Sequence, residues 1–213
     1  MTDEETFDTY LDAADAALAL ITAPQVSAAW DDASVLPDLT VGALAAHLGR
    51  SITRPALFLD GPDPASPSPV SASGYYAAFD GIDDRGSAVN RTVVASAVTE
   101  AAPGRDALVE LLSQRLGHVR DVLSDLPAGR QVEALGHPMT VAEYLRTRLV
   151  EFAVHVDDLA LSVGLPTPAQ APAATGEAIA VLVEVARVKH GDVAVLRAMA
   201  RRERDDVAAL RVL

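Results

Sequence analysis

An all-α fold is what this sequence predicts: a helical bundle with further helices at its C-terminus. Apolar residues recur three and four positions apart along most of the 213 residues, the repeat of a single buried helical face. Residues that start and stop helices stand at the ends of those stretches. Alternation of polar and apolar residues never runs long enough to define a strand, and no internal repeat is found.

Residues 4–23 carry Phe7, Tyr10, Leu11, Ala14, Leu18 and Ile21 on one stripe, which gives the first helix. A polar connection with Trp30, Asp31, Asp32, Pro37 and Asp38 follows. Thr40 is placed as N-cap to a second helix, whose apolar stripe holds Val41, Leu44, Leu48 and Ile52 with His47 on or beside it. Residues 61–74 contain too many prolines for a regular element and predict a surface loop or link. A weaker helical pattern covers 75–101, with a break near 81–86. A firmer one covers 103–126, with Leu108, Leu111, Leu112, Leu116, Val119 and Leu123 inward and Pro103 in its first turn. Thr140 and Glu143 form the strongest start signal, a capping-box pair in which each side chain takes the other residue's amide. The helix they open covers 140–163. Gly164 closes it, and Pro166, Pro168 and Pro172 bar its continuation. Two last helices cover 173–189 and 192–209. Residues 1–165 thus make the bundle, and residues 166–213 a helical extension packed on the same domain.

A chain of this length, half of it apolar, buries a core large enough for one domain. Its net charge of -13 opposes a phosphate backbone, so nucleic acid is not expected as a partner. The acidic start Met1-Thr2-Asp3-Glu4-Glu5 is unlike a signal peptide, and no apolar run approaches the roughly 18 residues of a membrane span. A cytoplasmic location, with no membrane association, is the expectation. Cysteine is absent, which removes disulfides, thiolate ligands and a cysteine nucleophile; thiol chemistry would need a thiol from outside. Lys189 is the single lysine among many arginines, and with the abundance of Ala and Val this hints at a GC-rich bacterial genome.

One constellation points to chemistry. Glu151 and His155 stand four apart, so their side chains share a helix face about 5–6 Å apart. His47, from a facing helix, supplies a third donor. Zinc accepts imidazole nitrogen and carboxylate oxygen and keeps a fourth position open for water or substrate. The same donors serve nickel and non-haem iron, so the metal stays open on ligand type. The spacing excludes a His-Glu-x-x-His protease helix and a repeated Glu-x-x-His di-iron bundle. A solvated helical pair, or a hydrogen-bonded core histidine, is the plain alternative. Against it, Phe152, Val154, Val156 and Leu159 surround the pair, and a buried glutamate needs a cation or strong donors. Asp158, three residues past His155, is positioned to orient its imidazole, or else is a surface acid. His118, His137 and His190 lack a partner at metal spacing and read as structural or solvent-facing. The mixed charges of residues 201–206 read as a solvated face.

Thr40-Val41-Gly42-Ala43-Leu44-Ala45-Ala46-His47-Leu48, preceded by Trp30, and then Glu151-Phe152-Ala153-Val154-His155-Val156-Asp157-Asp158-Leu159 resemble the DinB-like superfamily. Within it the sequence is most similar to the mycothiol-dependent maleylpyruvate isomerase type, over most of residues 5–165. The resemblance implies a four-helix bundle with a divalent metal, typically zinc, on His47, Glu151 and His155. It also implies a low-molecular-weight thiol, mycothiol or bacillithiol, activated at the metal toward a small electrophile. The GC-rich composition favours mycothiol. An arginine for the thiol's polar groups is expected from Arg91, Arg146 or Arg148, although Arg148 can equally form a surface ion pair. Isomerases of this type carry a further C-terminal domain where this sequence has residues 165–213. The leading expectation is therefore a thiol S-transferase or isomerase-like enzyme. A non-catalytic metal- or small-ligand-binding bundle of the same fold, or a homodimeric interaction module, is the alternative, and a structural bundle with a coincidental triad is the third.

Overall fold

The computed structural model describes residues 1–65, 68–78, 86–168, 172–200 and 207–212. Four long helices form the bundle: α1 (Asp3–Thr22), α3 (Val41–Leu59), α6 (Arg105–Ser124) and α7 (Val141–Ser162). α1 and α3 each lie against both α6 and α7. Their inward stripes, with Tyr10, Leu44, Leu48, Ile52, Leu112, Leu145, Leu149 and Phe152, are all but inaccessible to solvent and form one continuous core. The all-α prediction is correct, with further helices following the bundle. α8 (Pro172–His190) packs on α7 and on the short α4 (Ala72–Ala77), and α9 (Asp192–Ala200) packs on α8.

The connection before α3 is more ordered than its polar composition suggests. It opens with a five-residue helix, α2 (Pro24–Ala28), and turns back so that its carbonyls cap α3. Val41 N–H donates to Asp32 O at 2.9 Å, Gly42 N–H to Trp30 O at 2.8 Å, and Ala43 N–H to the Thr40 hydroxyl at 3.1 Å. The first free amides of the helix that carries His47 are thereby satisfied. The Trp30 ring lies so close on this turn that a Cβ at Gly42 would fall 2.5 Å from it, so only glycine fits. Farther along, Pro55 stands inside α3 and offers no amide to Ser51 O four residues back. The buried Tyr10 hydroxyl donates to that carbonyl instead, at 2.9 Å, which ties α1 to α3 where the ladder is broken.

Several expectations need correction. The pattern over 75–101 is two helices, α4 and α5 (Ala88–Ala101); α4 begins inside the proline-rich loop, capped by Ser71, and most of the expected break at 81–86 lies outside the described residues. Pro103 is not in the first turn of α6, because Gly104, at φ +90°, is its cap. α9 stops at Ala200; residues 201–206, with their mixed charges, are outside the described residues, and a 3-10 turn covers Val207–Leu210. A hairpin that alternation did not reveal, β1 (Gln131–Ala134) with β2 (His137–Thr140), precedes α7. Four-residue strands are too short to show a period.

That hairpin also changes the start of α7. Thr140 caps it as expected, accepting from Glu143 N–H at 3.2 Å. Glu143 does not complete the box, because its carboxylate is engaged elsewhere: it accepts from Ala72 N–H at 2.7 Å and from Arg146. At the other end Gly164 adopts φ +68°, with Leu165 N–H on Ala160 O and Gly164 N–H on Leu161 O, a Schellman stop as predicted.

Candidate metal centre

α3 and α7 pack side by side, and His47, Glu151 and His155 meet between them. His47 Nε2 lies 3.2 Å from His155 Nε2 and 3.9 Å from Glu151 Oε2, and His155 Nε2 lies 3.5 Å from the same oxygen. The circle through these three atoms has a radius of about 2.1 Å, which is the length of a zinc bond to imidazole nitrogen or carboxylate oxygen. The donor set and its spread therefore fit a divalent ion, with nickel and iron equally served by the donor types.

Surrounding groups hold each donor. His155 Nδ1 donates to Asp158 Oδ2 at 3.0 Å, which turns Nε2 toward the centre, so Asp158 is the orienting acceptor rather than a free surface acid. Glu151 is held by a residue that spacing did not reveal: the buried Tyr76 hydroxyl on α4 lies 2.8 Å from Oε1 and 2.9 Å from Thr147 O. This leaves Oε2 facing the histidines. Beside His47, Arg50 points Nη1 at Nδ1 from 3.4 Å, while its Nε donates to Glu100 at 2.7 Å and a further nitrogen to Val93 O, fastening α5 to α3.

The three donors titrate as a coupled group. Burial, with the neighbouring His155 charge, pushes His47 down to about 3. Burial opposes charge on His155 too, but hydrogen bonds to Asp158 and Glu151 outweigh it and raise the imidazole to about 9. Burial would raise Glu151, yet its hydrogen bond with His155 and the Arg148 charge hold it well below the usual carboxylate range. Without an ion the site thus contains one imidazolium, one neutral imidazole and one carboxylate.

A cavity of about 540 Å³ opens above the donors, walled by α3, α4, α5, α7 and the hairpin turn. Of the arginines proposed for a cofactor, Arg148 lines it, buried over the Tyr144 ring with Nε on Thr147 Oγ1; the surface ion pair is not formed. Arg91 is bonded to Gly86 O and is not among the lining residues, and Arg146 pairs with Glu143 and Glu177. Arg50 and Arg54, which spacing did not single out, line the wall on the His47 helix. Elsewhere His118 pairs with Asp60, His137 stacks edge-on to Tyr75 and His190 is exposed at the end of α8.

Two histidines and a glutamate from facing helices, at the floor of a cavity, define a four-helix bundle of the DinB-like kind with a candidate metal centre. The chain belongs to the mycothiol maleylpyruvate isomerase N-terminal domain family, whose model matches residues 11–160. That match holds all three donors and ends before α8. The family is metal-binding and mycothiol-related. No curated protein and no solved structure matches the chain. Among the described residues no helix is long and apolar enough to cross a membrane.

Proposed function

We propose that the protein is a metal-dependent thiol S-transferase or isomerase-like enzyme that joins a mycothiol-type thiol to a small electrophile. The observation that carries this reading is the convergence of His47, Glu151 and His155 around one point at the base of a cavity, in a chain with no cysteine. His47 and His155 would hold the ion through Nε2 and Glu151 through Oε2, with zinc first among the candidates. When bound, the ion lowers the pKa of a thiol so that it is a thiolate at neutral pH. The chain's own residues keep the donors aimed: Asp158 holds the proton of His155 at Nδ1, and Tyr76 restrains Glu151. Apolar side chains around the cavity exclude water, and Arg148 offers a cation to the polar part of the thiol or its partner. Residues 166–213 act as an extension of the one domain, with α8 against α7, and the location is cytoplasmic.

The test is metal content after purification without chelator or polyhistidine tag, with thiol consumption measured on mycothiol and a panel of epoxides, quinones and maleyl compounds. One ion per chain, lost alike in His47→Ala and His155→Ala, and turnover on the panel are expected. A metal-free preparation defeats the centre. Metal without turnover on any compound leaves a binding bundle in place of an enzyme.

A further inference from the structure

The cavity is lined by two unlike sets of residues. Among the lining residues Arg148 is 6 % exposed, and apart from Nε on Thr147 its guanidinium has no hydrogen bond among the described residues. Glu151 balances part of its charge without accepting a hydrogen bond from it. Arg54 lines the same wall and has neither a hydrogen bond nor an ion pair among the described residues. Among the described residues no carboxylate is bonded to either cation, and such a pair is the complement of an anionic group.

The water-exposed part of the lining is mostly apolar, although exposed Asp38 also belongs to it. Leu135 is 55 % exposed, Val89 42 % and Val154 36 %, and half-buried Leu36 also lines the cavity. Leu135 is also strained. It and Gly136 form the two-residue turn between β1 and β2, at φ +51° and +84°, the type I′ geometry that favours Asn or Asp before Gly. The left-handed backbone disfavours a leucine there, and more than half of its side chain stays in water. Strain at the rim of a site points to contact with what enters it.

We propose that the cavity takes an amphipathic electrophile, its acid group at Arg54 and Arg148 and an apolar body of several carbons against Leu135. The word electrophile rests on the thiol-transfer reading above; the amphipathic pocket does not.

Calorimetric titration of the metal-loaded protein with the straight-chain carboxylates from butanoate to decanoate separates the two. Kd is expected to fall about two- to fourfold per added methylene until the rim is covered. Leu135→Asn should flatten that series and raise Tm by about 2–4 °C through relief of strain, whereas Leu135→Met should keep the series steep. A Kd indifferent to chain length in the wild type, or a slope unchanged in Leu135→Asn, overturns the proposal. Thiol consumption with the matching 4-oxo-2-alkenoates tests the other reading alone: steep binding with no consumption removes the thiol transfer and leaves the amphipathic pocket standing.

Discussion

Tyr76 shows how one side chain from a short helix sets the behaviour of a donor on a long one. Its hydroxyl occupies Glu151 Oε1, which leaves a single oxygen for an ion. In Tyr76→Phe both oxygens become free to chelate, so coordination should rise by one. Cobalt-loaded protein reports this directly: the intense visible bands of a four-coordinate ion should weaken in the variant. Metal affinity should fall about 10- to 100-fold, the usual effect of removing a group that orients a ligand. Asp158→Asn should lower affinity over the same range while keeping the four-coordinate spectrum, because it loosens His155 rather than Glu151. Identical spectra in wild type and Tyr76→Phe would show that Oε1 needs no restraint. No sequence rule connects Tyr76 to Glu151, 75 positions away, and this is why spacing found the donors and Asp158 but not the tyrosine. The helical period relates residues one turn apart; it is silent about which loop will bring a hydroxyl alongside.

At the scale of elements, the parts legible in the sequence were those whose signals are local. Thr40 and Thr140 cap α3 and α7, and Gly164 ends α7, because capping involves only residues within one turn. What escaped either left no local signal, as with the four-residue hairpin strands and the Gly104 cap that makes no side-chain hydrogen bond, or was set by tertiary contact, as with the use of Glu143 by Ala72. Arg50 and Arg54 escaped for the same reason, since only the packing of α5 and α7 against α3 makes their side of the helix a cavity wall. The Pro55 break in α3 is the clearest case of an element repaired from outside itself. Tyr10→Phe removes the donor on Ser51 O and leaves a buried carbonyl unsatisfied, at a cost of about 1–3 kcal/mol. In a Pro55→Ala background the restored amide can satisfy that carbonyl within the helix. Denaturant melts of the four proteins in this cycle should therefore show Tyr10→Phe costing less in the Pro55→Ala background than in the wild type. Equal costs would mean that the hydroxyl stabilises α1 by packing alone.

For the whole molecule the centre is a clamp, since an ion on His47, Glu151 and His155 joins α3 to α7 across 108 positions of sequence. Such an ion binds the folded chain alone, so it should raise stability by about 2.7 kcal/mol at a free concentration one hundred times its Kd. For a chain of this size that is a Tm increase of about 5–10 °C, absent in His47→Ala. The same clamp should be sensitive to pH in a definite direction. In the ion-free folded protein His155 is raised to about 9 by Asp158 and Glu151, so its charge stabilises that form fully below the unfolded value near 6.5 and is lost as pH rises through 9. An ion must displace that proton, while His47 is already neutral and Glu151 already ionised across this range. Binding from pH 6 to pH 9 should then release about one proton, and affinity should climb about tenfold per pH unit before levelling. Chelator competition in lightly buffered solution with a pH indicator measures both quantities together. A release near two protons would place charge on His47 as well, and a release near zero would mean that Asp158 does not raise His155, leaving the clamp's strength the same at every pH in that window.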